Sequence, residues 1–218
     1  MTMDKSKGAA SSLLLKDVAY NEIKESILNE KFEPGRFLSE RELIELLGMS
    51  KTPIKAALTR LETEGFVTVS SKQGIIINDL SVNRIVDIYD LRIALETFNC
   101  QQIETRLTPE QEKELEGNLE ETAEIVSRLD VKNFAQADHD FHLIICECTG
   151  NQEIHRVLLN YHDHLQRITR RHLRKDPHRM EKFLEDHWKI YEALKTGKES
   201  SADVMRRHLQ ESKQALFI

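Results

Sequence analysis

GRFLSERELIELLGMSKTPIKAALTRLETEGFVTV, residues Gly35–Val69, decides the fold of this chain. Ser39 and Glu42 form an S-x-x-E capping pattern that starts a first helix at about Glu40. Leu43, Ile44, Leu46 and Leu47 give that helix one apolar face, and Gly48 supplies the left-handed residue that ends it. Ser50 caps a second helix, with Pro53 tolerated in its first turn. Ile54, Ala57, Leu58 and Leu61 recur at helical spacing, which leaves Lys51, Thr52, Lys55 and Thr59 on the surface as donors suited to phosphates and base edges. Two helices this short, joined by so tight a turn, predict a helix-turn-helix.

The residues that follow extend the motif. Gly65 closes the second helix, Phe66–Val69 reads as a strand, Ser70–Gly74 as a turn and Ile75–Ile77 as a second strand. This hairpin is a wing with Lys72, Gln73 and Gly74 at its tip. A helix–hairpin module that binds protein instead is the alternative. Agreement of caps, turn and polar face favours DNA.

Composition bounds the rest. A chain of 218 residues, 39% hydrophobic and 31% charged with 8 Gly and 4 Pro, is expected to be globular and helix-rich. Three cysteines in no disulfide or zinc-finger spacing read as reduced fillers of a cytoplasmic protein. No apolar run approaches the roughly 20 residues of a membrane span, so no membrane partner is expected. Residues 1–12 lack the apolar core of a signal peptide and read as a disordered tail. A net charge of −6 is awkward for a DNA binder, but Ser50–Arg60 holds three cations and no acid. So small a positive surface predicts salt-sensitive binding that needs two copies of the module, hence a homodimer.

The winged helix-turn-helix is expected over 13–79, and an all-α antiparallel bundle over 80–218. Ser81 can cap a helix running to about Arg106, and Thr108-Pro109-Glu110-Gln111 is a capping box for the next, to about Leu129. Further helices follow Asp130, the Gly150-Asn151 break, the Asp176-Pro177 break and Gly197. The fold class is therefore mainly α, with one small β hairpin.

The bundle holds a second chemical signal. Asp138 and His142 are four apart on one helical face, His187 precedes an apolar run, and His208 sits between Met205 and Leu209. Three imidazoles and a carboxylate converging from three helices suit a first-row metal with open positions. Spacing alone leaves equally open that these are ordinary polar residues at the margins of amphipathic helices. The other histidines (His139, His155, His162, His164, His172, His178) read as surface or pocket-edge residues.

Residues 13–79 resemble the winged-helix domain of the GntR superfamily of bacterial transcription factors, on LSERELIELLGMSKTPIKAALTRLETEGFV. Residues 81–215 resemble the all-helical FCD domain of its FadR-like branch, on DHDFH at Asp138–His142, EDHWKIYEAL at Glu185–Leu194 and MRRHL at Met205–Leu209. The resemblance implies a metal held by Asp138, His142, His187 and His208. Zn²⁺ comes first among the candidates, with Ni²⁺, Mn²⁺ and Fe²⁺ also suited. It implies DNA contacts from Arg41, Ser50, Lys51, Thr52, Lys55, Gln73 and Gly74. Lys51 and Lys55 stand where the family commonly carries arginine, which keeps phosphate anchoring but alters base reading. Arg92 is implied to face the effector cavity and bind a carboxylate; a surface salt bridge to Glu96 is the alternative. The basic run Arg170–Lys175 reads as a solvated helix end rather than a second DNA contact.

Together these imply a non-enzymatic regulator, a repressor in character. It would read a palindromic double-stranded DNA operator as a homodimer and respond to a small organic acid. A regulator that senses the metal alone is one rival. A metal-dependent hydrolase fused to a DNA reader is the other, although no carboxylate or histidine is placed as general base and no E-x-x-H occurs.

Overall fold

The structure, a computed structural model, describes residues 5–70 and 74–216, with side chains from Leu14 onward. The chain divides between Leu80 and Ser81 into two compact units, each with its own core. The first comprises α1 (Lys5–Leu28), β1 (Phe37–Leu38), α2 (Glu40–Leu47), α3 (Lys51–Thr63), β2 (Val67–Ser70) and β3 (Gly74–Ile77). Residues 5–12, expected as a tail, are helical and open α1; Ala9, Ala10 and the leucines that follow are good helix formers. Residues 1–4 lie outside the described residues.

Helix α1 is absent from the elements that periodicity predicts, yet it supplies much of this core. Ala19, Tyr20, Ile23 and Ile27 pack with Leu43 of α2, Ile54, Leu58 and Leu61 of α3, and Ile75 and Ile77 of β3. The antiparallel sheet runs β1-β3-β2, with Leu38 opposite Ile75 and Val67 opposite Ile77. The wing hairpin thus has a third, two-residue strand. Gly74 opens β3 at φ +84°, and a Cβ there would stand 2.7 Å from the Leu38 carbonyl oxygen. That approach of β1 explains the glycine.

The caps of the helix-turn-helix depart from expectation in detail. Ser39 Oγ accepts from the Glu42 N–H at 3.0 Å, and Gly48 ends α2 at φ 61°. Glu42, however, accepts from Arg36 at 2.7 Å rather than closing the reciprocal box. A guanidinium offers that carboxylate a charge-assisted bond, which outcompetes a neutral backbone donor. Ser50 occupies the N-cap of α3 in extended conformation, but its side chain makes no cap hydrogen bond. Of the expected apolar face of α2 only Leu43 is buried, and Leu46 is exposed.

The second unit is helical among its described residues: α4 (Val82–Ile103), α5 (Pro109–Ser127), α6 (Val131–Cys148), α7 (Gln152–Lys175), α8 (Arg179–Thr196) and α9 (Ser201–Ala215). Ser81, Thr108, Asp130, Asn151 and Ser200 each cap the helix that follows with a side-chain oxygen. At Thr108 and Gln111 the full reciprocal capping box is present. Phe141 and Ile145 of α6, Ile190, Tyr191 and Leu194 of α8, and Met205 and Leu209 of α9 form the principal core. Cys100 and Cys146 are buried free thiols in this unit.

Candidate metal centre and nucleic-acid face

The bundle core brings three histidines together, two of their ring pairs edge-on and one stacked. His142 of α6, His187 of α8 and His208 of α9 are buried, and each offers a ring nitrogen such that all three atoms lie within 4.8 Å of one another. Their ring centroids are 5.0 Å (His142–His187), 5.4 Å (His142–His208) and 4.9 Å (His187–His208) apart. Their setting in sequence explains how they converge. Each is flanked by core residues (Phe141, Ile190 and Tyr191, Met205 and Leu209), so packing those neighbours turns the imidazoles inward. The His187 ring also stacks on Phe141 at 4.3 Å and 14°.

Carboxylates stand beside these rings. Glu96 of α4 places Oε2 2.6 Å from His142 Nδ1, and Asp186 places Oδ2 3.9 Å from His208 Nδ1. Asp138, one turn before His142, puts Oδ1 3.5 Å from His187 Nε2. It stands beside the triplet, outside the group of three mutually close nitrogens. Both ring nitrogens of His187, Nε2 of His142 and Nδ1 of His208 are buried without a hydrogen bond. Buried imidazole nitrogens left so are costly unless something else satisfies them. Burial, with the crowding of the other imidazoles and Arg92, holds His187 well below its ordinary pKa. Burial likewise lowers His142, against the pull of Glu96. Neutral imidazoles are the form that binds metal. Burial raises the Asp138 carboxyl, opposed by His142 and His208.

Arg92 of α4 makes the predicted pair with Glu96, Nε to Oε1 at 2.6 Å, but not on the surface: the side chains are 4% and 2% exposed. Glu96 thereby joins Arg92 to His142. Burial alone would raise its carboxyl, yet Arg92 and His142 bring it down to about 2. Arg92 Nη2 is buried without a hydrogen bond. Arg92, Glu96, His139, His142 and His162 line a cavity of about 10 Å³, space for about one water. His139 and His164 are buried rather than superficial. His139 lies against Asp138 at 3.5 Å and Thr169 at 3.2 Å. Arg170 is also buried, donating to Gln166 Oε1 at 2.7 Å, so the basic run is not a wholly solvated helix end. Its period places Arg170 and Leu173 on the inward face of α7 and leaves Arg174 and Lys175 exposed.

On the first unit, Ser50, Lys51, Thr52 and Lys55 are exposed at the start of α3. Glu40 of α2 engages both lysines, at 2.9 Å to Lys51 and 3.8 Å to Lys55. Arg41 pairs with Glu45 at 2.7 Å and is 87% exposed. Gln73 lies outside the described residues.

Sequence reasoning misses Glu40, Asp186 and His139, and underrates Glu96. The i, i+4 spacing of Arg92 and Glu96 is visible, but its depth is not. The approach of Asp186 to His208 joins residues 22 positions apart and leaves no local signal.

Comparison with known proteins agrees with this architecture. Residues 15–77 match the family described as bacterial regulatory proteins, gntR family, and residues 87–211 match the FCD domain. The chain is 27% identical over 186 residues to the HTH-type transcriptional regulator YdhC of Bacillus subtilis, covering 84% of this chain and 82% of that protein. It is 24% identical over 196 residues to the HTH-type transcriptional repressor RspR of Escherichia coli, covering 88% and 84%. The structure of E. coli McbR/YncC shares the fold, with TM-score 0.76 at 21% identity over 93% of this chain and 97% of that one. Among the described residues no helix is long and apolar enough to cross a membrane. The chain belongs to the gntR family of bacterial regulatory proteins with an FCD domain, and is a DNA-binding transcription regulator rather than an enzyme.

Proposed function

We propose that this regulator is a cytoplasmic homodimeric repressor whose bundle holds a divalent metal ion and answers to a small organic acid. Asp138, His142, His187 and His208 would hold the ion, Zn²⁺ before Ni²⁺, Mn²⁺ or Fe²⁺. The observation that carries the reading is the triplet of buried histidines whose ligand nitrogens lie within 4.8 Å of one another, several of them without a hydrogen bond. The donor set fits: neutral nitrogens with one carboxylate alongside suit a borderline cation. Glu96 beside His142 and Asp186 near His208 would serve as outer carboxylates of such ligands. Once bound, the ion supplies a Lewis-acidic centre for an oxygen ligand. Arg92 supports the acid from α4 through its free Nη2.

Arg41, Ser50, Lys51, Thr52, Lys55, Gln73 and Gly74 would meet DNA, one α3 per major groove of a palindrome. The exposed cations at the start of α3 support that assignment.

The test of the metal reading is elemental analysis of the purified protein beside His142→Ala and His208→Ala. Near-stoichiometric metal in the parent and none in either variant is the expected result. No metal in the parent after reconstitution would overturn it. One observation favours a second reading, in which the ion alone is the signal. The cavity beside Arg92 has only about 10 Å³, so an acid must open it whereas an ion need not. Operator affinity that follows Zn²⁺ concentration without any carboxylate would select that reading.

A further inference from the structure

A second depression, distinct from the small cavity at Arg92, reaches the histidine triplet from the opposite helices. It lies between α8 and α9, has a volume of about 180 Å³, and is lined by Lys182, Asp186, Lys189, Glu199, Glu211 and His208 among others. That volume holds several waters, enough for a hydrated cation. His208 lines it while being only 4% exposed. Its Nδ1 makes no hydrogen bond, with Asp186 Oδ2 the nearest carboxylate at 3.9 Å.

Charge is graded along the cleft. Glu199, paired with Arg207 of the same cleft at 2.7 Å, and Glu211 stand at the exposed rim, and Asp186 is half-way in, its side chain 10% exposed. Lys182 closes the sequence: its ammonium rests on both oxygens of Asp186, at 2.5 and 2.7 Å, and within 3.6 Å of Glu211. Lys189 adds a weaker contact to Asp186 at 3.5 Å. A half-exposed surface cation therefore covers the carboxylate of this cleft that borders a buried histidine. On the opposite side the cavity that touches His142 has only about 10 Å³.

We propose that the α8–α9 cleft is the route by which the metal ion reaches and leaves the histidine triplet, with Asp186 as its transient oxygen ligand and Lys182 as the displaceable plug. The inference rests on the metal reading given above. In it the ion exchanges with the Lys182 ammonium at Asp186, sheds water, and passes to His208 as the first of the three nitrogens to engage. No bond is made or broken other than coordination.

The experiment is stopped-flow metal exchange on the full-length protein. Uptake of Zn²⁺ by metal-free protein is followed by competition with a chromogenic chelator, and release by excess chelator. Lys182→Gln removes one positive charge from the path of a divalent ion. At about 4 Å in water that charge is expected to slow passage of a divalent ion by about thirtyfold, and by less at physiological salt. Lys182→Gln should therefore speed uptake by about three- to tenfold and also quicken release, with stoichiometry unchanged. Lys195→Gln, on the same helix but paired with Glu112 and Glu116 outside the cleft, should change neither rate. Lys182→Arg, which keeps the plug, should behave as the parent. Zinc bound stoichiometrically but exchanged at the parental rate in Lys182→Gln would overturn the route and leave the metal reading standing. Equal acceleration by Lys195→Gln would also overturn it, as a bulk charge effect. A parent that takes up no zinc would overturn both.

Discussion

Replacing Glu96 by Gln tests whether the bundle is built around its buried ion pair. The carboxylate lies 2.6 Å from Arg92 Nε and 2.6 Å from His142 Nδ1, at 2% exposure. Its pKa falls from 4.5 to about 2, which at about 1.4 kcal/mol per tenfold change in proton affinity corresponds to about 3 kcal/mol at neutral pH. Arg92 contributes most of this, because burial keeps His142 neutral at pH 7 and reduces its part to a hydrogen bond. An amide in the same place keeps a weak acceptor but leaves Arg92 buried without a counter-charge. The metal-free Glu96→Gln protein should therefore lose about 3 kcal/mol from the bundle. Trp188 is the only tryptophan and packs on the bundle core, so urea unfolding followed by its fluorescence reports this unit at fixed protein concentration. With a slope near 2–3 kcal/mol per molar, the midpoint should drop by about 1 M. The double variant Arg92→Met, Glu96→Leu should recover most of the loss, since a packed apolar pair replaces a buried charge pair at little cost. A loss in Glu96→Gln below about 0.5 kcal/mol would refute the ion-pair account. The stabilisation is present above pH 4.5 and is lost as pH falls toward 2, so parent and variant should converge over that window.

Glu40→Gln should tighten operator binding by about threefold at low salt, because Lys51 and Lys55 no longer exchange an intramolecular carboxylate for phosphate; weaker binding in a mobility-shift titration would mean that Glu40 positions the lysines instead. Lys51→Ala with Lys55→Ala should abolish tight operator binding, and residual binding should show a salt slope lower by about 2 per protomer, with metal content untouched. His187→Ala should do the reverse, losing metal while keeping DNA affinity; equal damage to both activities by either variant would contradict the two-module account. The metal-free protein should lose stability as pH falls below 6.5, because His139 and His187 are held neutral by burial and the unfolded chain binds their protons instead. Thermal melts of metal-free protein at pH 7.5 and 5.5 would check this, and an equal or higher midpoint at pH 5.5 would refute it.

The helix-turn-helix was legible because its signals are local: Ser39, Gly48 and Gly65 act within a turn of themselves. Helix α1 was not. Its apolar residues fall at Ala19, Tyr20, Ile23 and Ile27, while Leu14 and Leu15 lie exposed beside them, so sequence periodicity is blurred where burial is clear. Strand β1 spans two residues, too short for alternation to register, and exists because β3 offers it an edge. At the histidine cluster, Asp138 and His142 could be paired by spacing, whereas spacing left the convergence of His187 and His208 open and resemblance favoured it. The carboxylates Glu96 and Asp186 were hidden for a further reason. Each appears in sequence as one half of an ordinary i, i+4 surface pair, with Arg92 and with Lys182. Which half of such a pair sinks into the core depends on what the neighbouring helix brings to meet it.

That dependence puts the proposed ion site and the proposed acid pocket on one network. Glu96 receives Arg92 on one oxygen and faces His142 with the other, so any group that competes for Arg92 also alters the partner of a histidine in the triplet. In the proposed function, a carboxylate arriving at Arg92 Nη2 would draw the guanidinium from Glu96 and leave that residue's charge to His142, which would strengthen the imidazole as a donor to a cation. By reciprocity, a cation on His142 would polarise the same bridge and favour the acid at Arg92 by an equal factor. The element that would register both is α4, since it carries Arg92 and Glu96 one turn apart. An acid that lacks a group for either the cation or Arg92 would engage only half of this bridge. Metal and acid should accordingly each raise the other's affinity by the same factor. Titration of either at saturating and zero concentrations of the other measures it, and independent binding would break the proposed link between Arg92 and His142.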